Sequence, residues 1–66
     1  MDARKRLDAA SAVYAAAIER AEMARDELAR AIVEAARDGV RQVDIVKATG
    51  YTRERVRQIC RAAGIE

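Results

Sequence analysis

Between Asp2 and Asp38 this chain contains no residue able to stop a helix. Proline is absent throughout, and the three glycines stand at Gly39, Gly50 and Gly64. Proline and glycine disfavour a helix interior most strongly, so an alanine-rich stretch without either predicts one long helix over roughly residues 3–37. Each glycine is followed by an apolar residue: Val40, Tyr51 and Ile65. A glycine just past the last turn accepts the left-handed backbone, and an apolar residue after it packs back onto the helix it ends. The expected partners are Ala35 for Val40, Val46 for Tyr51 and Cys60 for Ile65. The glycines therefore mark off three helices, roughly 3–37, 42–49 and 52–63. Thr52 is placed to cap the third, and Glu54 suits the positive end of its dipole. No stretch alternates apolar and polar residues over strand length. The fold class expected is all-α: a long N-terminal helix followed by a two-helix helix-turn-helix, together a trihelical head.

A chain of 66 residues buries a small core, and such chains usually need a disulfide, a metal or a partner subunit. Cys60 is the sole cysteine and histidine is absent, so neither an internal disulfide nor a zinc-ligand set is available. Cys60 reads as a small buried apolar residue, and no metal or cofactor is expected. A partner chain is the remaining staple. No Ser/His/Asp set, carboxylate pair or phosphate loop is present, which points to a binding protein and not an enzyme. Brevity also argues against a small-molecule pocket. With no bilayer-length apolar run and no signal-peptide pattern, the expected location is cytoplasmic, in a bacterial or phage-encoded nucleoid-associated protein with no membrane partner.

At about 1.5 Å per residue the first helix would run to roughly 50 Å, more than two short helices can cover. Leu28, Ile32, Ala35 and Ala36 form an apolar stripe near its C-terminus that is suited to packing on the other two helices. Upstream, alanine recurs every seven residues at Ala3, Ala10, Ala17, Ala24 and Ala31. A second seven-residue series runs Leu7, Tyr14, Ala21, Leu28 and Ala35. A heptad repeat with small residues in one seam position suits close helix pairing. Leu7, Ala10, Tyr14, Ala17, Ile18, Ala21 and Ala24 are thus the expected homodimer interface. Opposite charges spaced four apart at Arg4/Asp8, Asp26/Arg30 and Arg30/Glu34 support the helix itself. Residues 1–27 form the dimerisation segment on this reading, and residues 28–66 the head.

Charge separates the two parts as well. Residues 1–38 carry seven basic and eight acidic groups, whereas residues 39–66 carry six basic and three acidic. The positive charge gathers between Arg53 and Arg61, and eleven of the thirteen basic residues are arginine, the side chain that pairs bidentately with phosphate and guanine. The segment from Gln42 reads QVDIVKATGYTRERVRQICR. Ile45 and Val46 offer an apolar face, Gly50 permits a sharp turn and Tyr51 plugs the junction. Val56, Ile59, Cys60 and Ala63 fall at i, i+3, i+4 and i+7, a single buried stripe. Arg53, Glu54, Arg57, Gln58 and Arg61 point away from it. Arginine pairs with guanine O6/N7, glutamine with adenine N6/N7, and glutamate accepts from cytosine N4. A helix-turn-helix over residues 42–61, with its recognition helix over 52–63, satisfies these requirements.

Here the chain resembles a known family. Residues 52–59, TRERVRQI, look like the recognition helix in region four of the primary bacterial sigma factors, where the promoter −35 element is read. Ile45, Lys47 and Gly50 also fall where that family has a buried isoleucine, a lysine and the turn glycine. The resemblance covers about twenty residues, under a third of the chain. It implies that Arg53, Glu54, Arg57 and Gln58 reach bases while Arg55 lies nearer phosphate. Arg41, Gln42, Thr52 and Arg61 complete the expected backbone contacts. Three positions depart from the family: Val46 where Ala or Gly is usual, Thr49 where a large apolar residue is usual, and Arg41 where a Ser or Thr N-cap is common. The rest of a sigma factor has no counterpart here.

The reading that follows is a sequence-specific regulator binding double-stranded DNA as a homodimer, acting as a repressor on a pseudo-palindromic operator. About twenty residues of antiparallel overlap would set the heads roughly 30 Å apart, near the roughly 34 Å of one DNA turn. Two other classes remain open at this point: a protein-interaction module imitating a sigma-factor head, and an architectural binder without sequence preference.

Overall fold

A computed structural model describes residues 2–65; Met1 and Glu66, the outer ends of the two expected segments, lie outside the described residues. Three helices form in the expected places: α1 over Ala3–Arg37, α2 over Gln42–Thr49 and α3 over Arg53–Ala62. The molecule measures 55 × 20 × 16 Å, and its long dimension is that of α1 alone. Asp2 caps α1 by accepting the backbone N–H of Arg4 at 3.0 Å, which satisfies one of the donors left free at a helix start.

The helix ends show how the glycines act, and one of the three differs. At the end of α1 the N–H of Val40 donates to the carbonyl of Ala35 at 2.9 Å, and that of Gly39 donates to Ala36 at 3.1 Å. The end of α3 repeats this arrangement, with Ile65 donating to Cys60 at 2.9 Å and Gly64 to Arg61 at 3.0 Å. These are Schellman closures. At the end of α2 only Gly50 bonds back to the helix backbone, at 2.8 Å from the carbonyl of Val46. The N–H of Tyr51 is taken instead by the hydroxyl of Thr49 at 3.1 Å, and that hydroxyl donates to the carbonyl of Ile45 at 2.8 Å. Thr49 thus shapes the turn between α2 and α3 through its side chain. A large apolar residue at this position could not make either bond.

The core is small and lies at one end. Ile32 from α1, Ile45 from α2, and Val56 and Cys60 from α3 are buried. Around them pack Leu28, Ala35, Ala36, Val46, Tyr51, Ile59 and Ile65. The stripe expected on α3 is realised, with Val56 and Cys60 buried and Ile59 and Ala63 half-buried. Arg37 adds a polar tie, its guanidinium donating to the carbonyl of Ala63 at 3.4 Å. From Ala3 to Glu27 every residue of α1 is exposed. Of the three charge pairs expected along α1, only Arg4 and Asp8 approach within ion-pair distance, at 3.4 Å. Asp26, Arg30 and Glu34 form none among the described residues, as expected where exposed long side chains gain little from being held together.

Gly50 sits at φ +76°, and a Cβ built there meets nothing within 4 Å. A side chain would therefore strain only the backbone. Gly50→Ala should destabilise the head by about 1–2 kcal/mol, the cost of a left-handed non-glycine residue. Urea denaturation followed by circular dichroism measures the loss. An unchanged midpoint would show that the α2–α3 turn does not depend on this conformation.

Candidate nucleic-acid interface

The turn at Gly50 and Tyr51 delivers the chain to Thr52, whose extended backbone and hydroxyl begin α3. That hydroxyl accepts the N–H of Arg55 at 3.1 Å. Val56 and Cys60 then anchor one side of the helix, and the opposite side is left to solvent. Glu54, Arg57, Gln58 and Arg61 are all exposed. At i, i+3, i+4 and i+7 they form one stripe along the outside of α3. Arg53 and Arg55, also exposed, flank this stripe on opposite sides. Arg61 therefore stands in line with the residues expected to read bases, although the sequence alone gave it a backbone role.

Several of these side chains are held before any ligand arrives. The Arg57 guanidinium lies 3.4 Å from the Glu54 carboxylate, so two expected base-reading residues are paired to each other. The Arg55 guanidinium sits over the Tyr51 ring, 5.7 Å from its centre, a cation–π contact that stiffens a long side chain. Arg41 occupies the N-cap position of α2 but makes no side-chain cap bond. Its guanidinium reaches Asp44 at 3.6 Å. These pairs are exposed and hence weak enough to be exchanged for other partners.

Gln42, at the first turn of α2, shares an open groove of about 780 Å³ with Arg57 and Arg61 of α3. Val40, Ile45 and Ile65 form part of its apolar floor. The fold thus brings a polar amide from α2 beside two arginines from α3: Arg57, expected from the sequence to read bases, and Gln42 and Arg61, expected to contact the DNA backbone. Thr52 is engaged as a cap, its hydroxyl oxygen accepting from the backbone of Arg55 while its O–H can still donate to another partner. Three features escaped the sequence reading: the Thr49 relay, the seat of Arg55 on Tyr51, and the Arg37 tie to Ala63. The i, i+4 spacing of Tyr51 and Arg55 was the one signal that could have revealed the second.

The residues expected to pair with another chain are not brought together by this head. Leu7, Ala10, Tyr14, Ala17, Ile18, Ala21 and Ala24 all lie on the uncovered part of α1. Leu7 and Tyr14 are 61% and 68% exposed, while Ile18 is 39% exposed. Val13 and Met23, which the sequence reading passed over, are about as open as Tyr14. Among the described residues no group of three or more His, Cys, Asp or Glu side chains is placed to hold a metal. No helix of the described residues is long and apolar enough to cross a membrane. No protein-family model, no curated protein and no solved structure matches the chain.

Because the Thr52 hydroxyl is the side-chain acceptor at the start of α3, Thr52→Ala should lower stability by about 1 kcal/mol. Thr52→Ser should lose much less. Thermal melts of the two variants against the parent check this, and equal losses would mean the hydroxyl bond contributes nothing.

Proposed function

We propose that this protein is a sequence-specific double-stranded DNA-binding transcription regulator whose α3 enters the major groove. The observation that carries this reading is the stripe of Glu54, Arg57, Gln58 and Arg61, flanked by Arg53 and Arg55, on the uncovered face of a capped helix that follows a left-handed turn. Arginine, glutamine and glutamate each match a different base edge, so this stripe is chemically equipped to read sequence. The likeness of residues 52–59 to the sigma-factor recognition helix supports the same assignment.

Arg53, Glu54, Arg57 and Gln58 read bases on this proposal, and Arg41, Gln42, Thr52, Arg55 and Arg61 position the backbone. The neighbourhood of Gln42, Arg57 and Arg61 in one groove fits a strand of phosphates running past the start of α2 while α3 occupies the groove beside it. Glu54 holds Arg57 until a guanine and a cytosine replace the pair's contacts with one another. A single head makes few contacts, so two heads on one operator raise both affinity and selectivity. The protein is accordingly a homodimer, and repression is the action that operator occupancy alone performs.

Selection of bound duplexes from a random pool tests the reading. Enrichment of a two-fold-symmetric motif is expected, and failure to enrich any motif over bulk DNA would overturn it in favour of non-specific coating or protein recognition. Within the selected site, Arg57→Ala and Gln58→Ala should each weaken binding by about 1–3 kcal/mol, roughly 5- to 150-fold, and relax one base position. Arg55→Ala should weaken all duplexes alike and lower the salt dependence by about one counterion. Mobility-shift titrations at several salt concentrations distinguish the two patterns, and undiminished binding by Arg57→Ala would displace the assigned reading face.

A further inference from the structure

The head covers α1 only from Leu28 onward, and it does so on a particular face. Leu28 and Ala35, which pack against the core, belong to the same seven-residue series as Leu7, Tyr14 and Ala21. Ile32, the buried residue of α1, stands fourteen residues after Ile18, hence on the same side of the helix. The face that packs on the head therefore continues upstream with nothing on it. It exposes Leu7, Tyr14 and Ile18 among alanines.

We infer that this face pairs antiparallel with the same face of a second copy, in the register that sets Leu7 opposite Ala24, Ala10 opposite Ala21 and Tyr14 opposite Ala17 of that copy. The inference rests on the homodimer of the preceding proposal but not on its DNA contacts. Three observations select the arrangement. In a parallel pair both copies would carry their heads on the seam at the same level, each blocking the other's helix. An antiparallel pair instead brings free stretch against free stretch, and residue 3 of one copy reaches Leu28 of the other, where the head begins. The head thus acts as a stop that limits sliding.

Charge favours the same orientation. Arg4, Lys5 and Arg6 form a basic cluster flanked by Asp2 and Asp8, residues 9–18 carry no charge, and residues 19–27 hold four acids against two arginines. Parallel pairing would place the three basic residues against their own copies. Antiparallel pairing lays them against the acidic segment: in this register Arg4 comes level with Glu27 and Lys5 with Asp26, while Arg6 comes level with Arg25. Size favours the register too. Each large seam residue, Leu7, Tyr14 and Leu28, meets an alanine, Ala24, Ala17 and Ala3 respectively, so large and small side chains interleave along the seam.

The register revises the spacing of the two heads. Its midpoint falls between residues 15 and 16, and Ile32 lies about 16 residues beyond it on either side. The heads are therefore anchored about 50 Å apart along the pair at about 1.5 Å per residue. The shorter separation of roughly 30 Å counted only the overlap. The head packs alongside residues 28–37 and so adds its own setback at each end.

Disulfide trapping without DNA tests the pairing. Ala10→Cys and Ala21→Cys chains, mixed and oxidised under native conditions, should crosslink to one another in most molecules. Neither should crosslink with itself, since in this register equivalent residues stand about 16 Å apart along the axis at both positions. Leu7→Cys with Ala24→Cys supplies an independent pair should the first disturb the close alanine contacts. Wild type, carrying only the buried Cys60, is the control. Efficient self-linking of Leu7→Cys would establish parallel pairing and overturn the inference. Light scattering that shows a monomer at tens of micromolar, or a dimer in which neither mixed pair links, would overturn it as well. A protein that links as expected yet enriches no DNA motif would keep the pairing and lose the DNA reading.

Discussion

Val56 is sealed from solvent because three helices converge on it, and the rest of the head follows from that convergence. Ile32, Ile45 and Cys60 close round it, so each helix contributes at least one buried side chain. With the inward side of α3 so determined, its outward stripe is determined too. Among the described residues no polar or charged side chain is buried, so apart from the half-buried Thr49 relay the head has no internal hydrogen-bond network to select its geometry. Apolar shape and the helix caps do that work. The polar residues are in consequence free for the surface, and on α3 they are concentrated on one side.

The caps matter more here than in a larger domain, because the loops are so short. Between α2 and α3 the chain has three residues to reverse direction, Gly50, Tyr51 and Thr52. Each has a separate task. Gly50 takes the left-handed backbone, Tyr51 turns its ring inward against the core and under Arg55, and Thr52 caps the next helix. Thr49 supplies the fourth contact by bridging Ile45 and Tyr51. The angle at which α3 is presented depends on these four neighbours. That angle is what a helix in a DNA groove must have right.

The helices and the inner face of α3 were readable in the sequence because glycine placement and a 3.6-residue period are local signals. The three boundaries fall where Gly39, Gly50 and Gly64 put them. Side-chain choices among polar partners were not readable. Arg30 has acids four residues away on both sides and takes neither, while Arg57 takes Glu54 three residues away. Such contacts are worth so little that sequence spacing does not decide between them. Thr49 was legible only as a departure from a familiar pattern, since its role needs the exact positions of two backbone groups. The outward stripe of α3 was legible from spacing, but its neighbour Gln42 joined it only through the fold.

Stability and assembly are coupled in a molecule shaped this way. A core of four buried residues supplies a few kcal/mol at most in a domain of this size. The exposed part of α1 lacks tertiary cover, whereas most helical stability in proteins comes from packing of an amphipathic face. Yet α1 is one continuous helix, so fraying upstream of Leu28 propagates toward Ile32 and the core. A partner helix on the Leu7, Tyr14 and Ile18 face would bury the upstream surface and hold α1 straight beneath the head. Anything that binds only the folded form raises its stability with concentration, and on the proposed pairing the second copy would be such a ligand. The presentation of α3 is then linked to protein concentration through the rigidity of α1. Control by protein level therefore suits this chain, and it requires no effector pocket.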